Sequence, residues 1–511
     1  MSANRNKRIA KNTLMLYFRQ LLILFVSLYT VRIVLAELGI EDYGIYGAVA
    51  GLVAISTFLP GSMAQATQRF FSFALGEKND ERLKKVFSVN MMLYACIALI
   101  AFLALQTIGA WFVNTEMAIP PERFEAARAL YHYASLTFIA SVFTSPFMAI
   151  IMAHEDMKLY AYISIIEAFM KLGVVFLLQY IAWDKLELYG LLLLVVGIIN
   201  ALMYMTVCFT RYAECQLRKF YWDSALLKEI MGFTGWTLFG QLSTIARTHA
   251  ITVLLNQSFS PAVVAARTLS VTIASKVNVF SMNFNSSLYP PIIKSYAANQ
   301  RAEMYGLING GSKITFFLLW VFALPMTIEM ETILGLWLTV VPPDAVLFSQ
   351  LGLVEAVIWS ISMPIGAAAR APGRMKAYEL ILGSMQMGIL VAAWAVISAG
   401  APAYSVFIIA IIANVLMFGA RLILVNRLTG FPIGVFMQKT ALPVAAIVIV
   451  TAVPVFTLSR MVPDGLYGSF MVIVTSFITS TVAMYFIGLD KKWRAKIVMM
   501  IRSRFFRSQS V

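Results

Sequence analysis

Thr234, Thr237, Gln241, Thr244 and Thr248 recur at steps of three or four inside one apolar stretch, with Arg247 beside them. On a helix such spacing puts the stripe on one face. The next apolar stretch repeats the arrangement: Arg267, Ser270, Asn278, Ser281 and Asn285 share a face, with Lys276 adjacent. Earlier, Ser62, Gln65, Arg69 and Ser72 follow a Pro60-Gly61 break, and the first apolar stretch carries Arg19 and Arg32. Guanidinium groups hold phosphate oxygens in pairs. Hydroxyls and amides match the hydroxyls of a sugar. These residue types point to an anionic, hydroxyl-rich ligand, with Arg19, Arg32, Arg69, Gln241, Thr244, Arg247, Arg267, Lys276 and Asn278 as substrate-binding candidates. The plainer reading is that Ser, Thr and Asn only join helices, and that Arg32 and Arg69, nearer helix ends, snorkel to the interface.

Bond-making chemistry has little to stand on. Cys96, Cys208 and Cys215 are scattered, as are His132, His154 and His249. They form no metal-ligand spacing, so neither a zinc site nor a disulfide framework is indicated. His154, Glu155 and Asp156 are the one tempting cluster, and they read as a turn at a helix boundary. A membrane-embedded acyl- or glycosyltransferase would need paired carboxylates, an activated nucleophile or a metal set. No Walker-type loop is present for ATP hydrolysis. The expectation is a non-enzyme without cofactor or metal.

The elements that position these residues are membrane spans. Of 511 residues 60% are hydrophobic and 13% charged, where a soluble chain keeps roughly a quarter charged. Apolar runs long enough to cross a bilayer fall at roughly 12–36, 43–74, 86–113, 129–152, 160–182, 188–210, 232–256, 262–288, 307–333, 345–369, 377–397, 403–426, 440–458 and 466–488. The expected fold is therefore all-α and polytopic, with fourteen transmembrane helices. The first span is too long for a signal-peptide core and reads as an uncleaved helix. On one side of the membrane only Arg123, Arg128, Lys185 and Arg460 are basic. The positive-inside rule makes the other side, with both termini, cytoplasmic. The net charge of +15 then reflects topology, not nucleic-acid binding.

Within or at the ends of spans lie Arg19, Arg32, Arg69, Lys171, Arg247, Arg267, Lys276, Lys313 and Arg421, against Glu167, Glu329, Glu331, Glu355 and Glu379. Cations exceed anions, so pairing among these groups cannot neutralise them. Glu167 and Lys171 stand four apart and pair with each other. Shifting the sequence by 221 lays Thr13, Phe18 and Gln20 on Thr234, Phe239 and Gln241, and the basic loop after span 2 on that after span 8. The pattern reads as two six-helix lobes in parallel pseudo-repeat, 1–211 and 232–426, with two added helices in 427–488. A cytoplasmic linker spans 212–231, where Asp223 caps a short interfacial helix through "SALLKEI", and a basic, membrane-surface tail spans 489–511. Repeats of this kind place a substrate site between the lobes.

The stretches "ELGIEDYGIYGAVAG" at 37–51, "QRFFSFALGEKNDERLKKVFS" at 68–88, "IMAHEDMKLYAYISIIEAFMKL" at 151–172, "AARTLSVTIASKVNVFSMNFNSSLYPPIIKSYAA" at 265–298 and "AAARAPGRMKAYEL" at 367–380 resemble polysaccharide-export flippases. These are the Wzx-like O-antigen flippases of the multidrug/oligosaccharidyl-lipid/polysaccharide (MOP) exporter superfamily, which also holds the MATE transporters. The resemblance implies alternating access, with an undecaprenyl-pyrophosphate-linked oligosaccharide as substrate. It implies export across the bacterial inner membrane for lipopolysaccharide or other surface-polysaccharide biosynthesis, beside the polysaccharide polymerase machinery. It also implies a cationic lumen, represented by Arg19, Arg247 and Arg267, and H+ or Na+ as coupling ion. Glu167 and Glu355 are the only centrally placed ion-coupling candidates. The rival within the superfamily, a multidrug/cation antiporter, would want an acid-rich cavity.

Overall fold

The computed structural model describes residues 3–489 apart from 118, 217, 218, 339 and 464, and also residue 494. The basic tail expected on the membrane surface lies outside the described residues. Among the described residues there is no strand, and the long helices are α1 (Ala3–Ala54), α2 (Phe58–Glu77), α3 (Asp80–Ala104), α4 (Phe124–Ala153), α5 (Met157–Tyr180), α6 (Lys185–Arg211), α7 (Ser224–Ser258), α8 (Pro261–Ala297), α9 (Arg301–Ile328), α10 (Ala345–Arg370), α11 (Lys376–Ser398), α12 (Ser405–Thr429), α13 (Leu442–Met461) and α14 (Leu466–Ala483), joined by short loops.

Local chemistry sets the breaks. Gly39, at φ 74°, interrupts α1, a backbone state costly to residues with a Cβ. Beyond it, Glu41–Val53 and Phe58–Glu77 meet at 44° as one bent span. Asn79 accepts the Arg82 N–H to start α3, Asp184 accepts those of Leu186 and Glu187 to start α6, and Asp223 accepts that of Leu226 to start α7. The turns at Lys78, Glu155 and Asn299 are all left-handed, at φ 54°, 64° and 57°. Each closes its helix with the paired 6→1 and 5→2 backbone bonds of a Schellman cap. Lys78 and Asn299 are 221 residues apart, the spacing of the internal echo.

Twelve of the helices are long and apolar enough to cross a membrane, thirteen with the bent pair. The fourteenth expected span, 232–256, is helical but not among them. Its hydroxyl stripe, Gln241, Arg247 and His249 lower its hydropathy. The interfacial helix expected at "SALLKEI" is not a separate element. Asp223 caps the site as expected, but the segment forms the first turns of the continuous 35-residue α7, which runs on through Gly232 and Gly235 without a break.

The chain divides into two compact units. Unit 1 comprises Met1–Gln241 and Tyr289–Arg301, and unit 2 comprises Leu242–Leu288 with Ala302–Val511. These limits differ from the lobe boundaries read from sequence, because unit 1 keeps the start of α7, up to Gln241, and the end of α8, from Tyr289. Ser62 Oγ meets Gln241 Oε1 at 2.5 Å, and Tyr289 donates to the Gln65 carbonyl at 3.5 Å. A Cβ on Gly76 would lie 2.8 Å from the Lys294 carbonyl oxygen, so glycine alone admits this approach of α2 to α8. The core of unit 1 gathers Val34, Val49, Tyr94, Val142, Val175 and Leu186.

In unit 2, α13 and α14 pack on α9 through Phe316, Leu324, Ile447, Val455 and Val472. Trp320 donates to Thr451 Oγ1, and Ser469 to Glu329. Leu416, Ile449 and Phe470 are about three-fifths exposed, which suits a lipid surrounding and not water. Reporter fusions at Asp184 and Pro343 should read outside the cell and fusions at Asn79 and Gln300 inside. An inside signal at Pro343 would contradict the topology of the second half.

Candidate functional site

The polar stripe of α7 leads to a charged site inside unit 2. Arg247 donates from one terminal nitrogen to Glu355 Oε1 of α10 at 3.2 Å, and Asn414 Nδ2 of α12 donates to the same oxygen at 3.0 Å. Both acidic hydrogen bonds fall on Oε1. Side-chain exposure of 15% for Arg247 and 22% for Glu355 leaves the pair largely enclosed. Arg267 of α8 is buried beside it and lies within Coulombic range of both. It spends its donors on neutral oxygens of α7: Nε on Thr252 Oγ1 at 3.3 Å and a terminal nitrogen on the Thr248 carbonyl at 3.1 Å. Its guanidinium carbon stands 6.0 Å from the Phe407 ring. Arg247 Nε is buried with no protein acceptor.

Two guanidinium groups therefore share one carboxylate, with an N–H of Arg247 unspent. Glu355, read from the sequence as an ion-coupling candidate, is the partner of Arg247. A 108-residue separation hid the pairing. Asn414, which holds that carboxylate, escaped the sequence reading. Its signal was a lone amide within the apolar run "FIIAIIANVLMF".

The other candidates are dispersed. In unit 1, Arg19 stacks on Tyr160 at 4.7 Å and reaches Gln20 at 3.4 Å, while its Nε has no protein acceptor. Arg69 is fully buried, not snorkelling, among Phe70, Phe73 and Phe233, with Glu229 at 3.4 Å. Gln241 is bound to Ser62. Glu167 pairs with Lys171 at 2.6 Å, as the spacing predicts. Arg32, Thr244 and Lys276 are exposed. Asn278 is half-buried, with Oδ1 lacking a protein partner.

The turn at 154–156 gathers partners of its own in unit 1. Glu155 meets Arg8 at 2.6 Å and Lys294 at 2.9 Å, and Asn12 donates to its carbonyl. His154 contacts Glu214 at 2.6 Å and stacks on Tyr212, whose hydroxyl donates to Asp156 at 2.7 Å. Burial opposes the charge of Glu214, but the hydrogen bond from His154, a backbone hydrogen bond and the attraction of His154 together outweigh it and hold this carboxyl below its usual range. Among the described residues no three His, Cys, Asp or Glu are placed to hold a metal ion.

No protein-family model and no curated protein matches the chain. Solved structures do. A MATE transporter in its bent conformation superposes with a TM-score of 0.73 at 14% identity, covering 83% of this chain and 96% of its own. An outward-facing multidrug resistance MATE transporter of the MOP superfamily gives 0.70 at 14%, covering 84% and 96%. A MOP-superfamily transporter from Pyrococcus furiosus gives 0.64 at 13%, covering 83% and 96%. The reverse polarity of that protein's binding pocket is described as suggesting a different function. The chain thus has the MATE fold, that of a multi-pass membrane protein, and its structural neighbours are transporters, not enzymes.

Proposed function

We infer that the protein is an exporter of an anionic, lipid-linked oligosaccharide, carried on a prenyl pyrophosphate, that works by alternating access at the bacterial inner membrane. The observation that carries this reading is the excess of guanidinium over carboxylate at the α7–α8–α10–α12 site, with Arg247 Nε unspent. A cation inside a span costs between about 2.5 and 17 kcal/mol, and a phosphate supplies the missing anion. The hydroxyls and amide of Thr244, Thr248 and Asn278 suit the sugars. The resemblance to Wzx-like flippases agrees with this cargo. The P. furiosus transporter, described as having reverse pocket polarity, supports the idea that the MATE fold is not tied to cationic substrates.

The rival is a multidrug/cation antiporter; the neighbour described as a multidrug resistance transporter favours it. The two separate in proteoliposomes of the purified protein. A fluorescent prenyl-pyrophosphate oligosaccharide should move between leaflets, read as protection from a membrane-impermeant quencher, while an ethidium gradient should not be dissipated. Ethidium movement without lipid movement would establish the rival.

A further inference from the structure

The turn that joins α10 to α11 repeats the one that joins α4 to α5. A shift of 218 lays Ala153, Met157, Lys158 and Tyr160 on Ala371, Met375, Lys376 and Tyr378. Both turns pass through the left-handed region, at Glu155 (φ 64°) and Gly373 (φ 81°). Their charges are reversed. In unit 1 the turn presents the acids Glu155 and Asp156, and Glu155 is held between Arg8 at 2.6 Å and Lys294 at 2.9 Å. In unit 2 the same two places hold Gly373 and Arg374. This end of unit 2 carries Arg370, Arg374, Lys376, Arg421 and Arg427 against the acids Glu303 and Glu379. The start of α9, where Glu303 stands, reaches it through Tyr305, which donates to the Thr429 carbonyl at 2.8 Å.

The enclosed member of the group is Arg421. It is 9% exposed, and its Nη1 is buried with no acceptor among the described residues. Glu379 and Tyr378 are buried within Coulombic range of it, but Arg370 draws on the same carboxylate. Met375 precedes α11 without a side-chain cap, so the first N–H groups of that helix add positive potential in the turn that carries Tyr378 and Glu379. Arg421 stands eight residues before the end of α12, about 12 Å along the axis. Ile423 of α12 and Leu380 and Ile381 of α11 follow these polar residues in sequence and are exposed. A free anion answers only the charge. A phosphate that carries acyl chains answers the charge and covers the apolar side chains as well.

We propose that this end of unit 2 binds the phosphate of an anionic phospholipid, which supplies from the bilayer the anion that Glu155 supplies from the chain in unit 1. Arg421 takes the phosphate oxygens, Arg374 and Lys376 add charge at the exposed rim, and the acyl chains lie along α11 and α12. Basic pockets between membrane helices hold anionic head groups in this way. None of Arg247, Arg267 and Glu355 takes part, so the lipid site is independent of the cargo.

The test uses the delipidated full chain in detergent, titrated with dioleoylphosphatidylglycerol or dioleoylphosphatidylcholine and read by native mass spectrometry as lipid bound per chain. Wild-type protein should bind one phosphatidylglycerol at least about tenfold more tightly than phosphatidylcholine, since each basic residue near the surface contributes about fivefold. Arg421→Gln should lose that preference. Arg374→Gln/Lys376→Gln changes exposed residues only, so it keeps the test decisive if Arg421→Gln does not fold, and it should reduce the preference at least about fivefold. Equal affinity for the two lipids, or a preference unchanged in the folded variants, would overturn the site. Displacement of phosphatidylglycerol by millimolar inorganic phosphate would make it a site for free anions, and displacement by equimolar farnesyl pyrophosphate a site for the cargo. Either result would overturn the resident phospholipid.

Discussion

Arg267→Ala is expected to lower lipid-linked oligosaccharide transport at least about tenfold with protein levels unchanged, whereas Arg247→Ala is expected to lower both. The difference lies in what each side chain leaves behind. Arg267 bonds a threonine hydroxyl and a helix carbonyl; without it, no ionised group is stranded. Arg247 leaves Glu355 with only the Asn414 amide. Breaking a buried pair by removing one partner costs about 3–5 kcal/mol, and the partial exposure of this pair puts it at or below the low end. Arg247→Ala/Glu355→Ala should therefore recover the protein level and still not transport. Arg247→Lys should keep only part of the activity, because an ammonium cannot hold two phosphate oxygens in a fork. Each hydrogen bond to a charged group is worth about 1.5–3 kcal/mol, which sets the tenfold floor. The measurement is the proteoliposome assay with each variant matched for reconstituted amount. Transport by Arg267→Ala at the wild-type rate would make that arginine a packing residue and remove the cationic-site account.

The spans were legible in the sequence because the bilayer demands long apolar runs, and the stop and start residues Asn79, Asp184 and Asp223 announce their caps by type. The four-residue step of Glu167 and Lys171 predicts their pairing, since helical neighbours are local. The site itself was half legible. The types on α7 and α8 pointed to anions, and Glu355 was noticed, but nothing in one sequence relates positions 247, 355 and 414 to one another. Their meeting depends on how α7, α10 and α12 pack. Arg69 shows the same limit from the other direction. Its place near a helix end allowed snorkelling as readily as substrate binding, yet three aromatic rings enclose it, and those rings come partly from α7. The reading of "SALLKEI" failed because an amphipathic pattern does not say where a helix ends.

Glu155→Ala should be among the most destabilising single substitutions in unit 1, lowering stability by about 3 kcal/mol. The carboxylate is 5% exposed and faces two cations, Arg8 at 2.6 Å and Lys294 at 2.9 Å. Loss of a buried anion from such a group costs about 3–5 kcal/mol; Arg8 is 51% exposed, so solvent screens its share and the low end applies. The backbone adds a second contribution that can be separated. Glu155 sits at φ 64° in the Schellman turn between α4 and α5, where a residue with a Cβ is strained by roughly 1–2 kcal/mol relative to glycine. Glu155→Gly should accordingly melt above Glu155→Ala, although both lack the charge. Adding Lys294→Met to Glu155→Ala should restore part of the loss by removing a cation that faced the lost anion, and the cycle of single and double variants gives the coupling directly. Thermal unfolding in detergent, followed by a thiol-reactive dye at the buried Cys208 and Cys215, reads all five proteins, the wild type and the single Lys294→Met variant among them. If Glu155→Ala melts with the wild type, the cluster at this turn contributes nothing to holding α1, α4 and α8 together. If Glu155→Gly melts below Glu155→Ala, the strain assigned to the turn is absent.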